Sequence, residues 1–334
     1  MKIKKILSSF PASRSRRLRS SPWIRQISAE NELRIDNLVL PVFLKEDDDN
    51  EILIEKMPEI KRFSLKNLDK EIDEINSVGV KTIALFPKIR KSLKSHTAEE
   101  AYNSENLVCR ALKIIKKNNP DLGVICDIAL DPYTISGHDG ILNSKGEIDN
   151  DKTLEVLGKM AVVYCEAGCK VISPSDMMDG RVKFIREQLE INKFNNIIIL
   201  SYSAKFCSQL YGPFRNALGN DTEYKVSKDT YQISPKNRLE ALKDSFMDIQ
   251  EGADMIMVKP ATFYLDILRE LKNHTFLPVA AFQVSGEYSM IKFGAEKQIF
   301  DYEKTVLESL YCIKRAGADI IFSYFSKEVA RWIK

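Results

Sequence analysis

The chain has 334 residues, which fits one large α/β domain or two smaller ones. Its 44% hydrophobic content is enough for a sizeable core, and its net charge of +3 is too small to indicate a nucleic-acid or membrane partner. Six scattered cysteines without a CxxC pair argue against a zinc site and indicate reduced core residues of a cytoplasmic protein.

The first 25 residues differ in composition from the rest of the chain. They are rich in Lys, Arg and Ser, and the first acidic residue is Glu30. Such a segment is typical of an organelle transit peptide, and it is equally typical of a basic arm that grips a neighbouring subunit. Nucleic-acid binding by the arm is a weaker hypothesis, because aromatic residues are not interleaved with the charges.

After this segment, apolar runs of strand length alternate with helical spacing. The runs predict eight strands, over residues 38–44, 82–87, 123–130, 170–175, 196–203, 255–258, 278–285 and 319–325. The spacing between them predicts helices over residues 68–78, 104–117, 152–167, 179–194, 237–250, 262–272 and two stretches of 288–316. Ser104 is a candidate N-cap, and Ser326 is predicted to cap a short final helix.

The order of these elements predicts the fold. Strands that are apolar throughout are typical of a parallel sheet covered on both faces. Eight such units over about 300 residues predict an α/β protein built as a (β/α)8 barrel. A doubly wound sheet is the competing fold, but it usually has fewer strands and a Gly-rich phosphate loop, and residues 137–140 lie on a long polar loop instead.

Two lysines stand at the ends of consecutive predicted strands. Lys205 follows the fifth strand and Lys259 the sixth, and barrel chemistry lies at the C-terminal ends of the strands. Neighbouring strands are ~4.8 Å apart, so two ammonium groups there would disfavour each other's charge. A neutral amine attacks a carbonyl to form a Schiff base, and two such amines suggest two carbonyl substrates. The alternative is that each lysine extends from its strand end into water.

Further polar residues follow the other strand ends. They are Asp127, Asp131, His138 and Asp139 at or beyond the end of the third strand, Ser175 and Asp176 at the end of the fourth, Tyr211, Arg215 and Lys228 after the fifth, Ser285 at the end of the seventh and Tyr324 at the end of the eighth. Arg215 suits bidentate capture of a carboxylate, although a surface ion pair is the alternative. The hydroxyls of Ser285 and Tyr324 could bind a second carboxylate, or they could hydrogen-bond to the nearby backbone. The aspartates suit an ammonium group, Mg²⁺ or acid–base work, whereas zinc prefers Cys or His.

Several motifs, in order, resemble those of the 5-aminolevulinate dehydratase family over about residues 14–334. They are SPSDMMDGRV at 173–182, SYSAKF at 201–206, YGPFR at 211–215, MVKP at 257–260, YLDI at 264–267, VSGE at 284–287 and RAGADII at 315–321. The resemblance implies a lyase that joins two 5-aminolevulinate molecules, with loss of two waters, into the pyrrole porphobilinogen of haem and tetrapyrrole biosynthesis. A class I aldolase is the alternative, but it needs one lysine and usually binds phosphorylated substrates.

The resemblance also implies roles for single residues. Lys259 would form the first Schiff base and Lys205 the second. Arg215 and Lys228 match one carboxylate clamp, with Lys228 where other members carry Arg, and Ser285 and Tyr324 match the other clamp. The other substrate-binding residues that it implies are Asp127, Asp131, Asp139, Ser175, Tyr211 and Gln232.

The same resemblance implies the metal and the assembly. Aspartates stand where zinc-using members carry three cysteines, so we expect no zinc and an allosteric Mg²⁺ at Asp244, with room for a monovalent cation. The motif RSRRLR at 14–19 resembles the arm through which the family forms octamers, so we prefer a subunit arm over residues 1–34 to a transit peptide. Residues 35–334 would form the catalytic barrel of a cytoplasmic homo-octamer, without nucleic-acid or membrane partners; organelle import remains the alternative.

Overall fold

The computed structural model describes residues 9–46, 52–218 and 227–333. The chain forms two compact units, Met1–Glu32 and Leu33–Lys334. In its described part, the first unit contains a 3-10 turn, Ser15–Arg19, and one short helix. The division falls two residues before the boundary expected from the sequence, and the role of the arm in subunit contact stays a prediction.

The described residues contain ten strands and eleven α-helices. The strands are β1 (Leu38–Lys45), β2 (Ile52–Ile54), β3 (Met57–Ser64), β4 (Thr82–Lys88), β5 (Gly123–Ile128), β6 (Val171–Pro174), β7 (Ile198–Lys205), β8 (Met255–Lys259), β9 (Val279–Gln283) and β10 (Ile320–Ser323). The helices are α1 (Pro22–Ile27), α2 (Leu65–Val78), α3 (Leu107–Asn118), α4 (Asn150–Glu166), α5 (Arg181–Ile191), α6 (Gly212–Ala217), α7 (Arg238–Gln250), α8 (Leu265–His274), α9 (Ser285–Glu296), α10 (Tyr302–Ala316) and α11 (Ser326–Trp332).

Eight of the strands close into a parallel barrel. Their order around it is β1, β4, β5, β6, β7, β8, β9 and β10, and Leu38 of β1 pairs with Ile321 of β10 to complete the ring. Most of their residues are buried, as expected for strands covered by side chains inside and helices outside. The predicted (β/α)8 barrel is therefore confirmed, and the doubly wound sheet is excluded.

A hairpin that the sequence did not predict lies beside β1. Strand β2 pairs antiparallel with β3, and β3 pairs parallel with the last residues of β1, where Phe43 stands opposite Arg62. The first residues of β1 pair with β10 instead. The hairpin thus extends the barrel wall at the carboxyl end of β1, which is the end where the site lies.

Helix ends follow the capping rules, with two corrections. Helix α2 ends at Gly79, whose φ of +94° places it in the left-handed region that favours glycine. Helix α3 begins after Asn106, whose side chain accepts a hydrogen bond from the Cys109 N–H, so the predicted cap at Ser104 is wrong. Ser326 does not cap α11 either, because it is the first residue of that helix and its hydroxyl donates to the Ser323 carbonyl.

Strand ends also differ slightly from the prediction. Strand β5 ends at Ile128, because the Leu130 carbonyl accepts bonds from Tyr133 and Thr134 in a turn. Strands β7 and β8 run on to include Lys205 and Lys259 themselves. In the part of the chain that the structure covers, no helix is both long and apolar enough to cross a membrane.

Candidate active site

The two lysines are neighbours at the same end of the barrel. Lys205 and Lys259 are the last residues of β7 and β8, and their Cα atoms are paired in the sheet register. Both side chains line one cavity, and the two residues are only 7% and 5% exposed. The remaining lining residues are Phe86, Asp127, Asp131, Ser175, Tyr211, Phe214, Arg215, Lys228 and Gln232.

Aromatic rings surround the amine of Lys259. Its Nζ lies 4.2 Å from the ring centre of Phe282, 4.8 Å from that of Tyr202 and 5.1 Å from that of Phe214. Burial lowers the pKa of Lys259 most, the charge of Lys205 lowers it further, and nearby aspartates oppose the change, so that the pKa is about 7. A substantial fraction of this amine is therefore neutral near pH 7, the form that attacks a carbonyl.

Lys205 is held by hydrogen bonds, whereas Lys259 is surrounded by aromatic rings. Its Nζ donates to Asp139 Oδ2 at 3.3 Å and to the backbone carbonyl of Ser175. Both acceptors are buried, so the Lys205 ammonium has partners for two of its protons. The two lysines therefore differ in environment although they are adjacent in the sheet.

Two of the three predicted aspartates bind a lysine of the chain itself. The Lys228 ammonium lies 2.5 Å from Asp139 Oδ1 and 3.3 Å from Asp131 Oδ2. Burial raises the pKa of Asp139, but the charges of Lys205 and Lys228 outweigh it and leave that pKa below its usual value. Burial opposes the charge of Lys228 as well, yet Asp131 and Asp139 raise its pKa above the usual value. These groups form one buried, charged network.

Asp127 is the third aspartate, and it does not join that network through a salt bridge. Burial raises its pKa to about 6, although the charges of Lys259 and Lys205 act in the opposite direction. Its Oδ1 is buried and has no hydrogen-bond partner among the described residues. A carboxyl group with this pKa, beside two amines, can accept or release a proton near neutral pH.

The segment after β7 covers the cavity. The Tyr211 hydroxyl donates to the Lys259 carbonyl at 3.1 Å, and helix α6 places Phe214 and Arg215 at the cavity wall. Gln232 also lines the cavity, and within the described chain its Oε1 has no partner. Arg215 and Gln232 thus offer polar groups to a ligand in this cavity.

Four predicted residues do not line this cavity, and one of them, Asp139, is connected to it through its bonds to Lys205 and Lys228. Ser285 lies just behind its wall, where its hydroxyl accepts the Phe214 N–H at 3.0 Å and donates to the Leu210 carbonyl. Tyr324 lines a neighbouring cavity and stacks on Phe43, and its hydroxyl has no partner in the described part of the chain. Asp244 lies in a separate groove.

Sequence reasoning missed residues that shape the site without carrying its obvious chemistry. The ring contacts of Phe282, Tyr202 and Phe214 give Lys259 its environment. Their signal was present, because two of them are bulky aromatics inside barrel strands, but only the fold shows that they converge on one amine.

A buried ion pair behind β7 was missed as well. Arg181 Nη2 lies 2.9 Å from Asp248 Oδ2 and also donates to the Ser201 hydroxyl. Asp176 lies 4.0 Å from Arg181, and burial raises the pKa of Asp176 to about 7 despite that charge. The pair supports the loop whose Ser175 carbonyl binds Lys205.

Comparisons with known proteins agree with this fold and site. A family model described as delta-aminolevulinic acid dehydratase matches residues 12–332. The chain is 46% identical to the chloroplastic delta-aminolevulinic acid dehydratase of Physcomitrium patens, over 96% of this chain and 74% of that protein. It is 44% identical to the delta-aminolevulinic acid dehydratase of Bradyrhizobium diazoefficiens, over 97% and 91%.

A solved structure is similar over nearly the whole chain. It is the delta-aminolevulinic acid dehydratase (porphobilinogen synthase) of Toxoplasma gondii, in complex with the reaction product porphobilinogen. The TM-score is 0.94 at 43% identity, covering 96% of this chain and 91% of that one.

Fold and site define a (β/α)8-barrel protein whose polar residues gather at the carboxyl ends of its strands around two buried lysines. The chain belongs to the delta-aminolevulinic acid dehydratase family. The resemblance seen in the sequence motifs is thereby confirmed.

Proposed function

We propose that this chain is a porphobilinogen synthase, a hydro-lyase that condenses two molecules of 5-aminolevulinate into porphobilinogen with loss of two waters. Its family membership supports this activity, as does the porphobilinogen bound to the similar Toxoplasma gondii protein. The observation that carries the proposal is the pairing of Lys205 with Lys259 at the end of adjacent strands, in one cavity.

Lys259 makes the first Schiff base in this proposal. Its neutral amine attacks the ketone carbon of one 5-aminolevulinate, and the resulting carbinolamine loses water to give the imine. The aromatic surroundings and a pKa of about 7 support this order, because Lys205 is engaged by Asp139 and the Ser175 carbonyl. Lys205 makes the second Schiff base after it leaves those acceptors.

The two lysines return to amines as the product forms. Each imine formation releases one water, which accounts for the two waters lost. An enamine carbon of one substrate adds to the imine carbon of the other, and an amino group of one substrate adds to the remaining imine carbon. Each lysine then leaves as an amine, and loss of carbon-bound protons gives the double bonds of the pyrrole. Forming the carbon–carbon bond requires removal of a proton beside an imine. We propose Asp127 as the group that accepts it, because that carboxyl lies in the cavity and has a pKa of about 6.

The substrate carboxylates are held by cations and hydroxyls. Arg215 and Gln232 offer hydrogen-bond donors to one of them. Lys228 can donate to the same carboxylate while its ammonium stays paired with Asp131 and Asp139. Ser285 and Tyr324 hold the other carboxylate once the Ser285 hydroxyl turns its proton from the Leu210 carbonyl to the substrate, while it still accepts the Phe214 N–H. The unpartnered Tyr324 hydroxyl supports this assignment. Ser175 and Tyr211 complete the wall.

Mg²⁺ is proposed as an allosteric ion at Asp244, and zinc is not expected. Burial raises the pKa of Asp244, and the charges of Glu240 and Asp248 raise it further, so a cation there would relieve repulsion. The structure, within its described ranges, has no group of three metal-binding side chains. An ion at Asp244 would therefore keep most of its own water, as Mg²⁺ commonly does. A monovalent cation stays a further proposal, as do the octamer and a cytoplasmic location.

The test is formation of the pyrrole product from 5-aminolevulinate. The full chain is treated with a chelator, and Mg²⁺, Zn²⁺ or K⁺ is then added back separately. We expect porphobilinogen, more of it with Mg²⁺, and no specific rescue by zinc. Absence of any pyrrole product would overturn the proposed activity, and rescue by zinc alone would overturn the metal assignment.

A further inference from the structure

The β2–β3 hairpin makes a contact with the segment that covers the site. Arg62 of β3 is buried, with 7% of its surface exposed. Its Nε donates to the backbone carbonyl of Ala217 at 2.6 Å, across 155 residues of chain. Ala217 is the last residue of α6, and the last carbonyls of a helix have no partner within the helix. A cation at this end of a helix is favourable for the helix dipole as well.

Helix α6 carries two residues of the site between its two anchored ends. Near its beginning, the Phe214 N–H donates to Ser285. The Phe214 ring packs 5.6 Å from that of Phe43 and 5.4 Å from that of Phe86, and the Lys259 amine lies 5.1 Å from its centre. Arg215 follows directly and lines the cavity.

We propose that Arg62 is a positioning residue for the reaction: by holding the carboxyl end of α6, it keeps Phe214 against the Lys259 amine and Arg215 at the cavity. Phe43 of β1 stands opposite Arg62 of β3 in the sheet register and also packs against Phe214. The two paired strands therefore each contact α6. The proposal rests on the proposed role of Lys259 as the first Schiff-base lysine.

This role has a consequence for the chemistry of Lys259. Burial is the largest cause of the low pKa of that amine, and Phe214 supplies part of the burial. Releasing α6 would admit water and move the pKa of Lys259 up towards the usual lysine value. At neutral pH less of the amine would be neutral, and Arg215 would meet the substrate carboxylate less often.

The experiment compares wild type with Arg62→Met and Arg62→Lys. Each protein is mixed with 5-aminolevulinate and reduced with borohydride over a range of pH, and the adduct on Lys259 is quantified by peptide mapping. We expect the pH midpoint of adduct formation on Lys259 to rise by about one unit in Arg62→Met, because below that midpoint the fraction of neutral amine falls roughly tenfold. We also expect KM for 5-aminolevulinate to rise about tenfold. Arg62→Lys keeps the charge but loses the Nε donor, so its pH midpoint should lie between those of wild type and Arg62→Met.

Arg186→Met is the matched control. Arg186 also donates to backbone carbonyls, those of Ile197 and Gly252, but it lies on α5 at the opposite end of β7. Its loss should lower stability, because partly buried carbonyls lose a donor, and should leave the pH midpoint of adduct formation unchanged. A shift in both variants would mean that any destabilisation produces it, and would overturn the positioning role.

Phe214→Ala gives a second measurement that does not depend on how well Arg62→Met folds. It should reproduce the upward shift, and the double variant should shift no further than either single one if both residues act through α6. An adduct on wild-type Lys259 with an unshifted midpoint in the Arg62 variants would overturn the role of Arg62 alone. No adduct on wild-type Lys259 would overturn the proposed function, and this inference with it.

Discussion

At the scale of single residues, the two lysines show how one register produces two chemical environments. Lys205 and Lys259 are paired in the sheet, yet one faces an aspartate and a carbonyl and the other faces aromatic rings. The charge of Lys205 disfavours the charge of Lys259. Lys259, whose amine has no hydrogen-bond acceptor among the described residues, is the lysine whose pKa is lowered to about 7.

Changing the neighbours of Lys259 should move its pKa in opposite directions. Lys205→Met removes a positive charge and should raise the pH midpoint of borohydride trapping at Lys259, by about half a unit to one unit. Asp127→Asn removes a negative charge and should lower that midpoint by a similar amount. Shifts of the same sign in both variants would contradict the electrostatic account, and Lys152→Met, on the exposed start of α4, is a control that should show no shift.

Residue types and strand ends were enough to predict much of the site. Lys205, Lys259, Asp127 and Ser175 were found because polar residues at the ends of apolar strands are unusual and the barrel brings such ends together. The ion pairs of Lys228 could not be found in this way, because Asp131 and Asp139 lie about 90 residues or more away from it in sequence. Their pairing depends on where two loops fold over the barrel.

At the scale of elements, the barrel strands were predictable and the hairpin was not. Strand β3 contains a proline and several charged residues, and its burial alternates only in part, so its sequence does not indicate a strand. Its conformation comes from pairing with β1 and β2, a tertiary effect. Helix α6 was missed because six residues that begin with Gly-Pro are typical of a turn.

The close approach of α9 to the segment before α6 gives an element-scale prediction. A Cβ at Gly286 would lie 2.5 Å from the Leu210 carbonyl oxygen, which is a backbone atom that cannot simply turn away. Gly286→Ala should therefore displace the turn Gln209–Tyr211 and lower kcat/KM at least tenfold, with destabilisation of about 1–3 kcal/mol.

Steady-state kinetics and thermal unfolding measure these effects. Gly212→Ala is the matched control, because a Cβ there would meet nothing within 4 Å, and it should leave both quantities nearly unchanged. Full activity of Gly286→Ala would show that the distance between these two elements does not matter to the site.

At the scale of the whole molecule, the division after Glu32 separates a basic segment from a barrel that holds the entire candidate site. The barrel unit builds its own core from all eight strands and their helices. No described residue of the segment is among those that line the candidate cavity, and its expected role stays that of a subunit arm.

Deletion of residues 1–32 tests that role. The shortened chain should keep its far-UV circular dichroism per barrel residue, and its mass by light scattering should fall below that of the full-length assembly. The physical reason is that an arm without a core of its own gains stability mainly by packing on another subunit. A shortened chain that forms the same assembly as the full chain would contradict the arm hypothesis.

The central claim is that Lys259 and Lys205 are the two amines that bind the substrates covalently. The most direct measurement is reduction with borohydride in the presence of 5-aminolevulinate, at a pH above the Lys259 pKa of about 7, followed by peptide mapping. We expect an adduct on Lys259 first and on Lys205 at higher substrate concentration. Adducts on other lysines only, or on none, would contradict it.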